Sequence, residues 1–192
     1  MNAEDCNEYR EKYPDMSDEQ LVAWHSRLWR EHRKQKHFNS DAIQRFFAGI
    51  KRDCYVTEIG GWDGEMAKSM LAKHDNILTW DNYEICEEAR ENSVCSDDRY
   101  VARHPDDFCC RADVLVASHV LEHMSADEIV LALRFMLKRA KHFYVDVPAA
   151  HELKDSTSFH IVGDAMEVVL PMLVGWEEVG VIGTARGYRR IK

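Results

Sequence analysis

The feature that most constrains the fold is the alternation of short apolar runs and helical patterns after Lys51. Strands are predicted at five runs, residues 55–59, 77–80, 99–102, 114–118 and 143–147. Between most of these runs, apolar residues recur at helical spacing. This alternation is typical of an α/β fold, in which helices cover both faces of a mostly parallel sheet.

The two ends of the chain carry different patterns. Before Lys51 the pattern is purely helical, with apolar stripes over residues 21–29 and 43–50, and Asn39 or Ser40 can cap the second helix. Near the other end, a helix is predicted to begin near Asp164, and Pro171 must kink or shorten it. Two final runs, residues 179–184 and 188–191 with Gly187 between them, predict a closing hairpin.

Charge and cysteine content exclude several classes of protein. The 192 residues carry 25 basic and 34 acidic side chains, a net charge of −9, which disfavours nucleic acid as the main partner. We interpret the basic stretch Arg27–Lys36 as a solvated helix face. No apolar run approaches the roughly 18 residues of a membrane span, and no secretory signal is predicted. The six cysteines form no C-x-x-C pair, so we expect reduced thiols in a cytoplasmic protein and no metal site.

The first predicted strand runs into a glycine-rich turn and then a helix, an arrangement that lets the backbone approach a ligand closely. The dinucleotide fingerprint needs glycines at the first, third and sixth positions, and it fails twice whether counted from Gly60 or Gly61. A different pattern fits better. In it, an acidic residue is followed by glycines at the second, fourth and sixth positions after it. Glu58, Gly60 and Gly64 match that pattern, and Trp62 is its one failure.

Asp81 stands 21 residues beyond Gly60, at the end of the predicted second strand. A carboxylate at that place can accept hydrogen bonds from both hydroxyls of a ribose. The glycine-rich turn and the acid at this interval together predict a nucleotide-type ligand.

Four motifs in chain order resemble those of class I S-adenosylmethionine-dependent methyltransferases, over the segment from Tyr55 to the C-terminus. The motifs are Glu58–Gly64, Ile77–Tyr83, Ala112–His123, which ends in Leu-Glu-His as in the small-molecule branch, and Phe143–Pro148. The resemblance implies a Rossmann-like, seven-stranded, mostly parallel sheet with one antiparallel strand and helices on both faces. It also implies a single domain, in which residues 1–52 form a helical lid or extension and residues 53–192 form the cofactor-binding core.

The resemblance further implies the site residues. The cofactor S-adenosyl-L-methionine would be held by Glu58, Gly60, Gly61, Trp62, Asp63, Gly64, Asp81, Asn82, Ser118 and His119. Among them the glycines would line its methionine part, Asp81 its ribose and Asn82 its adenosine edge. Trp62 replaces a family glycine, so its ring must turn away from the ligand or pack beside it.

A hydroxyl acceptor needs a general base, whereas a carboxylate acceptor does not. His119 and His151 are the candidates for that base, since each follows a strand whose carboxyl end should face the acceptor. We expect the loop Ala149–His160, with His160, and the N-terminal helices to form the acceptor pocket, and we interpret His123 as a packing residue.

The first hypothesis is methyl transfer to a small molecule at oxygen, by a monomer or a homodimer. Two alternatives stay open. One is an RNA or protein methyltransferase that uses Arg27–Lys36 as a contact patch, and the other is a catalytically silent cofactor-binding scaffold, which Trp62 would suggest. An NAD-dependent oxidoreductase is disfavoured by the failed fingerprint.

Overall fold

We describe a computed structural model of the chain over residues 15–32, 38–107, 112–148 and 164–191. These residues include one seven-stranded sheet. Its strands are β1 (Cys54–Ile59), β2 (Ile77–Tyr83), β3 (Tyr100–Arg103), β4 (Val114–Ser118), β5 (His142–Asp146), β6 (Trp176–Ile182) and β7 (Ala185–Arg190). Their order across the sheet is β3-β2-β1-β4-β5-β7-β6. Only β7 runs antiparallel to the others, so the predicted fold class is confirmed.

The described residues also form six α-helices. They are α1 (Asp18–His32), α2 (Ser40–Ala48), α3 (Glu65–Leu71), α4 (Glu87–Glu91), α5 (Ala126–Met136) and α6 (Ala165–Val169). Side-chain caps begin three of them, and the one at Asn39 was predicted from the sequence. The Asn39 side chain accepts from the Ala42 N–H at the start of α2, Ser125 and Glu128 form a capping box on α5, and Asp164 caps α6. Within the described residues, no helix has the length and apolar character that a bilayer crossing requires.

Helices cover both faces of the sheet, and each face has its own apolar core. On one face, α2 and α3 pack over a cluster that includes Phe47, Met70 and Trp80. On the other face, α5 and α6 cover a cluster that includes Leu133 and Phe143. All five residues of β4 are buried, as expected of a central strand that is covered on both sides. The described cysteines, Cys54, Cys86 and Cys95, are buried free thiols.

Several predicted boundaries differ from the structure. Strand β2 runs to Tyr83, three residues beyond the predicted end, because its backbone pairs with β1 on one side and β3 on the other. The closing hairpin is present, but it turns at Gly183 and Thr184. Gly187 therefore lies inside β7 rather than in the turn. Helix α6 ends two residues before Pro171 and continues as a short 3-10 turn over Leu170–Leu173.

Candidate functional site

The glycine-rich loop joins β1 to α3 through three left-handed residues, Gly60 (φ 64°), Trp62 (φ 54°) and Gly64 (φ 80°). Glycine adopts that conformation at little cost, whereas tryptophan is rare there. At Gly61 the constraint is space, because a Cβ there would lie 2.5 Å from Oδ1 of Asn82 and would also collide with the Glu58 carboxyl group. The loop is therefore packed closely against the side chains beneath it.

Asn82 is the main support of this loop. Its Oδ1 accepts from the Gly61 N–H at 2.9 Å, and its Nδ2 donates to the Trp62 carbonyl and to the Tyr100 hydroxyl, both at 3.1 Å. The residue is fully buried. The amide that was expected to border an adenosine is thus used to hold the loop in shape.

Glu84, directly after β2, is a site residue that sequence reasoning missed. Its Oε2 accepts from the Trp62 N–H at 3.0 Å, and its Oε1 accepts from the Cys86 N–H at 2.8 Å. Burial raises the pKa of Glu84, although the hydrogen bonds from Cys86 and Trp62 oppose that shift. A nearly buried carboxylate therefore lies against the middle of the loop.

Asp81 does not lie where the sequence suggested. It is the fifth of seven residues in β2 rather than the residue at its end. Successive side chains of a strand point to opposite faces, so Asp81 faces away from the side that Asn82 occupies. Its Oδ1 accepts from Nε of Arg103 on β3 at 2.8 Å. The structure therefore pairs Asp81 with an arginine, on the face of β2 opposite Asn82.

Glu58 is the second buried carboxylate at the loop. Only 1% of its surface is exposed, and its Oε2 accepts from the indole N–H of Trp80 at 2.7 Å. Burial raises the pKa of Glu58 to about 8, against the effect of the Trp80 hydrogen bond, and the nearby Glu84 and Asp63 raise it further. The loop is thus bracketed by two acids, one at the end of β1 and one after β2.

Trp62 and Asp63 are placed by contacts with the segment that follows β2. The Trp62 ring packs against Cys86 and Ala89, so it lies beside α4. The Asp63 carbonyl accepts from the Val94 N–H and from the Ser93 hydroxyl, each at 2.9 Å. The substitution of a glycine by Trp62 is therefore accommodated by packing of the ring on the neighbouring helix.

Ser118 meets the loop at a small cavity of about 30 Å³. Phe38, Glu58, Gly60, Gly61 and Ser118 are among the lining residues. The Ser118 Oγ is buried, and no described residue forms a hydrogen bond with it. A space of this size holds little more than a water molecule, so a nucleoside-sized ligand requires the cleft to open further.

Helix α1 packs on the segment that also contacts the Trp62 ring. Arg30 forms an ion pair with Glu88 of α4 at 2.9 Å, and the Cys86 thiol lies 3.8 Å from the Ser26 hydroxyl. Burial lowers the pKa of His25 to about 4, and the nearby His123 lowers it further. Helix α1 therefore contacts α4 and also approaches the segment that follows β4.

His119 occupies the carboxyl end of β4 with a left-handed backbone (φ 51°). Its N–H donates to the Asp146 carbonyl at 2.7 Å. Its Nδ1 lies 3.4 Å from Oε1 of Glu122, and its Nε2 lies 3.8 Å from Oδ2 of Asp146. Burial acts to raise the pKa of Glu122, but His119 and His123 outweigh it and hold that pKa below its ordinary value. His151, His160 and the loop Ala149–His160 lie outside the described residues.

No protein-family model matches the chain, and no curated protein matches it. Solved structures do match. Magnesium protoporphyrin IX methyltransferase from Synechocystis, solved with bound S-adenosylmethionine, aligns with a TM-score of 0.62 and 12% identity, over 91% of this chain and 98% of that chain. The N-methyltransferase NodS from Bradyrhizobium japonicum aligns with a TM-score of 0.61 and 12% identity, over 79% of this chain and 95% of that chain.

The mitomycin 7-O-methyltransferase MmcR aligns with a TM-score of 0.54 and 23% identity, over 78% of this chain. The alignment covers 52% of that chain, so the present sequence spans about half the length of that enzyme. These likenesses agree with the strand order and with the single antiparallel strand. The chain therefore has the fold of the class I S-adenosylmethionine-dependent methyltransferases.

Proposed function

We propose that this protein transfers the methyl group of S-adenosylmethionine to a small-molecule acceptor, at oxygen. The observation that carries the proposal is the glycine-rich loop between two buried carboxyl groups, those of Glu58 and Glu84, at the carboxyl edge of this sheet. In open α/β sheets, ligands bind outside the carboxyl ends of the strands. The two acids suit a cofactor that carries an ammonium group and two ribose hydroxyls, because a carboxyl group keeps acceptor oxygens whether or not it is protonated.

The chain's residues divide naturally between the parts of that cofactor. Glu84 takes the ribose hydroxyls in place of Asp81, since Glu84 lies at the loop and Asp81 is paired with Arg103. Glu58 and Ser118, which line the same cavity, take the polar end of the methionine. Gly60 and Gly61 allow close approach, and the Ser118 hydroxyl would gain the partner that the described residues do not provide.

His119 is the proposed general base. The bound cofactor supplies a methyl group that is already activated by the sulfonium, so much of the rate can come from positioning the acceptor. An imidazole at the end of β4 removes the proton of an acceptor hydroxyl. The carboxylates of Glu122 and Asp146, on opposite sides of the ring, then stabilise the imidazolium that forms. His151 stays a second candidate in the loop that follows β5.

A small-molecule acceptor is supported by the charge of the chain and by its described basic residues. The net charge is −9. In the stretch Arg27–Lys36, Arg27 is paired with Glu31 and Arg30 with Glu88, so these two arginines are already neutralised. Helix α1 is the proposed lid, since it packs against α4, the helix beside which the Trp62 ring lies.

The first test is a thermal unfolding experiment with S-adenosylhomocysteine and, as control, NAD. Ligand at a hundredfold excess over its dissociation constant should stabilise the protein by about 2.7 kcal/mol. No shift with S-adenosylhomocysteine, or a shift with NAD alone, contradicts the proposal.

Transfer of labelled methyl groups to panels of phenols, carboxylic acids and amines, with RNA as a further arm, then identifies the acceptor. We expect label on a phenol or another hydroxyl compound. Label on amines alone, or on RNA alone, would refute the oxygen assignment. Cofactor binding without transfer to any panel would instead favour a silent scaffold.

A further inference from the structure

A cavity of about 390 Å³ lies between α2 and strands β5, β7 and β6. None of its lining residues is shared with the small cavity at the glycine-rich loop. Its walls are mainly apolar, with Ala42, Phe46, Ile50, Val181, Ile182 and Ala185 among them. Pockets that hold small organic ligands usually measure roughly 300–1,000 Å³. The cavity is therefore large enough for such a ligand.

The cavity follows from the sequence of the closing hairpin. Gly180 of β6 pairs with Gly187 of β7, so two neighbouring positions of the sheet carry no side chain. A Cβ on Gly187 would lie 2.6 Å from Cδ2 of Phe46, which shows how closely α2 approaches there. At Gly180 a Cβ would meet no atom within 4 Å. The glycine pair thus leaves space under α2 that a typical strand would fill.

Tyr144 lines this cavity, and its hydroxyl is buried in the cavity wall. It is 1% exposed, and its hydroxyl has no hydrogen-bond partner among the residues that the structure describes. Burial raises the pKa of Tyr144, and the nearby Asp146 adds to the shift, so the phenol keeps its proton. A buried hydroxyl without a partner costs roughly 1–3 kcal/mol, which an oxygen of a bound ligand would recover.

The rim of the cavity carries an excess of positive charge. Arg189 is paired with Glu177 at 2.6 Å. Burial lowers the pKa of His142, and Arg189 and Lys141 lower it further, so this imidazole is neutral near pH 7. Arg45, in the last turn of α2, has no ion pair with any described residue. Among the described residues, Arg45 is therefore a cation without an ion-pair partner at the edge of an apolar cavity, in a chain whose net charge is −9.

We propose that this cavity is a second ligand site, which binds a small organic acid with an apolar body. The carboxylate faces Arg45, the apolar body fills the space above Gly180 and Gly187, and a ligand oxygen accepts from the Tyr144 hydroxyl. The site is independent of methyl transfer, because it shares no lining residue with the cofactor cleft.

Calorimetric titration with 4-phenylbutyrate tests the site, with the neutral 4-phenylbutan-1-ol as charge control. We expect saturable binding of one acid per chain, with the alcohol about tenfold weaker, since loss of one charged interaction of ~1.4 kcal/mol has that effect. Arg45→Gln should reduce the affinity for the acid to that for the alcohol, whereas Arg52→Gln, away from the cavity, should change neither.

Two further variants locate the probe. Tyr144→Phe should weaken binding of the acid about fivefold or more through the lost hydrogen bond. Tyr188→Phe makes the same chemical change on the opposite face of the sheet, where Tyr188 packs near Phe143, and should have no effect. Gly180→Leu should abolish binding, because its side chain fills the space. Melting temperatures of the unliganded variants confirm that each is folded.

Any one of these results would overturn the site: no saturable binding of the acid, equal affinity for acid and alcohol, or binding that survives Gly180→Leu. Equal losses of affinity for the acid in Tyr144→Phe and Tyr188→Phe would also overturn it. Affinity for S-adenosylhomocysteine is measured in parallel. We expect it to be unchanged in Arg45→Gln, so failure of this site and failure of the proposed function are separate outcomes.

Discussion

The carboxylate of Glu84 accepts a hydrogen bond from the Trp62 N–H at 3.0 Å, which ties the end of β2 to the middle of the glycine-rich loop. Glu84→Gln should therefore weaken S-adenosylhomocysteine about tenfold or more, since hydrogen bonds to charged groups contribute roughly 1.5–3 kcal/mol. Asp81→Asn, which removes the charge on the other face of β2, should leave the affinity nearly unchanged. Calorimetry on both variants makes the comparison. A larger loss of affinity in Asp81→Asn than in Glu84→Gln would show that Asp81, and not Glu84, binds the ribose.

Glu58 gives the folded protein a distinctive dependence on pH. Its pKa is about 8 in the folded state against an ordinary value of 4.5. Between these values the folded state keeps a proton that the unfolded state releases, so this residue lowers stability as the pH rises through that range. Each pH unit of difference corresponds to ~1.4 kcal/mol.

Glu58→Gln should therefore raise the free energy of unfolding above pH 8 and change it little near pH 4.5. Urea denaturation at the two pH values measures the effect. Glu91→Gln, an exposed change in α4, is the control and should be neutral at both. If the two variants have the same pH profile, Glu58 is ionised in the folded protein and the argument from burial is wrong.

Gly61 should tolerate no side chain. A methyl group there would meet the Glu58 carboxyl group and Oδ1 of Asn82, both of which are held by other contacts. We expect Gly61→Ala to destabilise the protein by roughly 1–3 kcal/mol and to weaken S-adenosylhomocysteine. Gly180→Ala is the matched control, because a Cβ at Gly180 meets nothing within 4 Å. Equal stabilities of the two variants would show that the loop relaxes to accept a side chain.

The sequence was sufficient to predict the fold because local and long-range signals agree over most of the chain. The fully apolar run of β4 predicts a central strand, and the Ser125–Glu128 capping box marks the start of α5. Both features are local. The single antiparallel strand was implied by the family resemblance, and the hairpin predicted from the final runs agrees with it. The exact turn of that hairpin depends on how β7 pairs with β5.

The position of Glu84 was harder to predict for a physical reason. The residues after Trp80 are polar, so periodicity ends the strand there, whereas the structure continues it to Tyr83. Asn82 can be buried in that extension because its side chain forms hydrogen bonds with the loop backbone. Hydrogen bonds between segments that are distant in the sequence produce no periodic pattern of apolar residues. One local signal did exist. Glu84 is an acidic residue two positions before Cys86, the N-cap of α4, and a carboxyl group there can accept from the free N–H groups at the start of a helix.

His25 should make the packing of α1 sensitive to acid. Burial, with a contribution from His123, lowers its pKa to about 4 from an ordinary 6.5. Between these values the unfolded state binds a proton that the folded state refuses, so stability is lost as the pH falls from 6.5 towards 4. His25→Gln removes the group that binds this proton. The melting temperature of the variant should therefore fall less than that of the wild type between pH 7 and pH 4.5. His104→Gln changes a histidine in the loop after β3 and should follow the wild type. If the melting temperatures of His25→Gln and the wild type fall in parallel with pH, His25 is exposed to water in the folded protein. Its burial would then not contribute to the packing of α1.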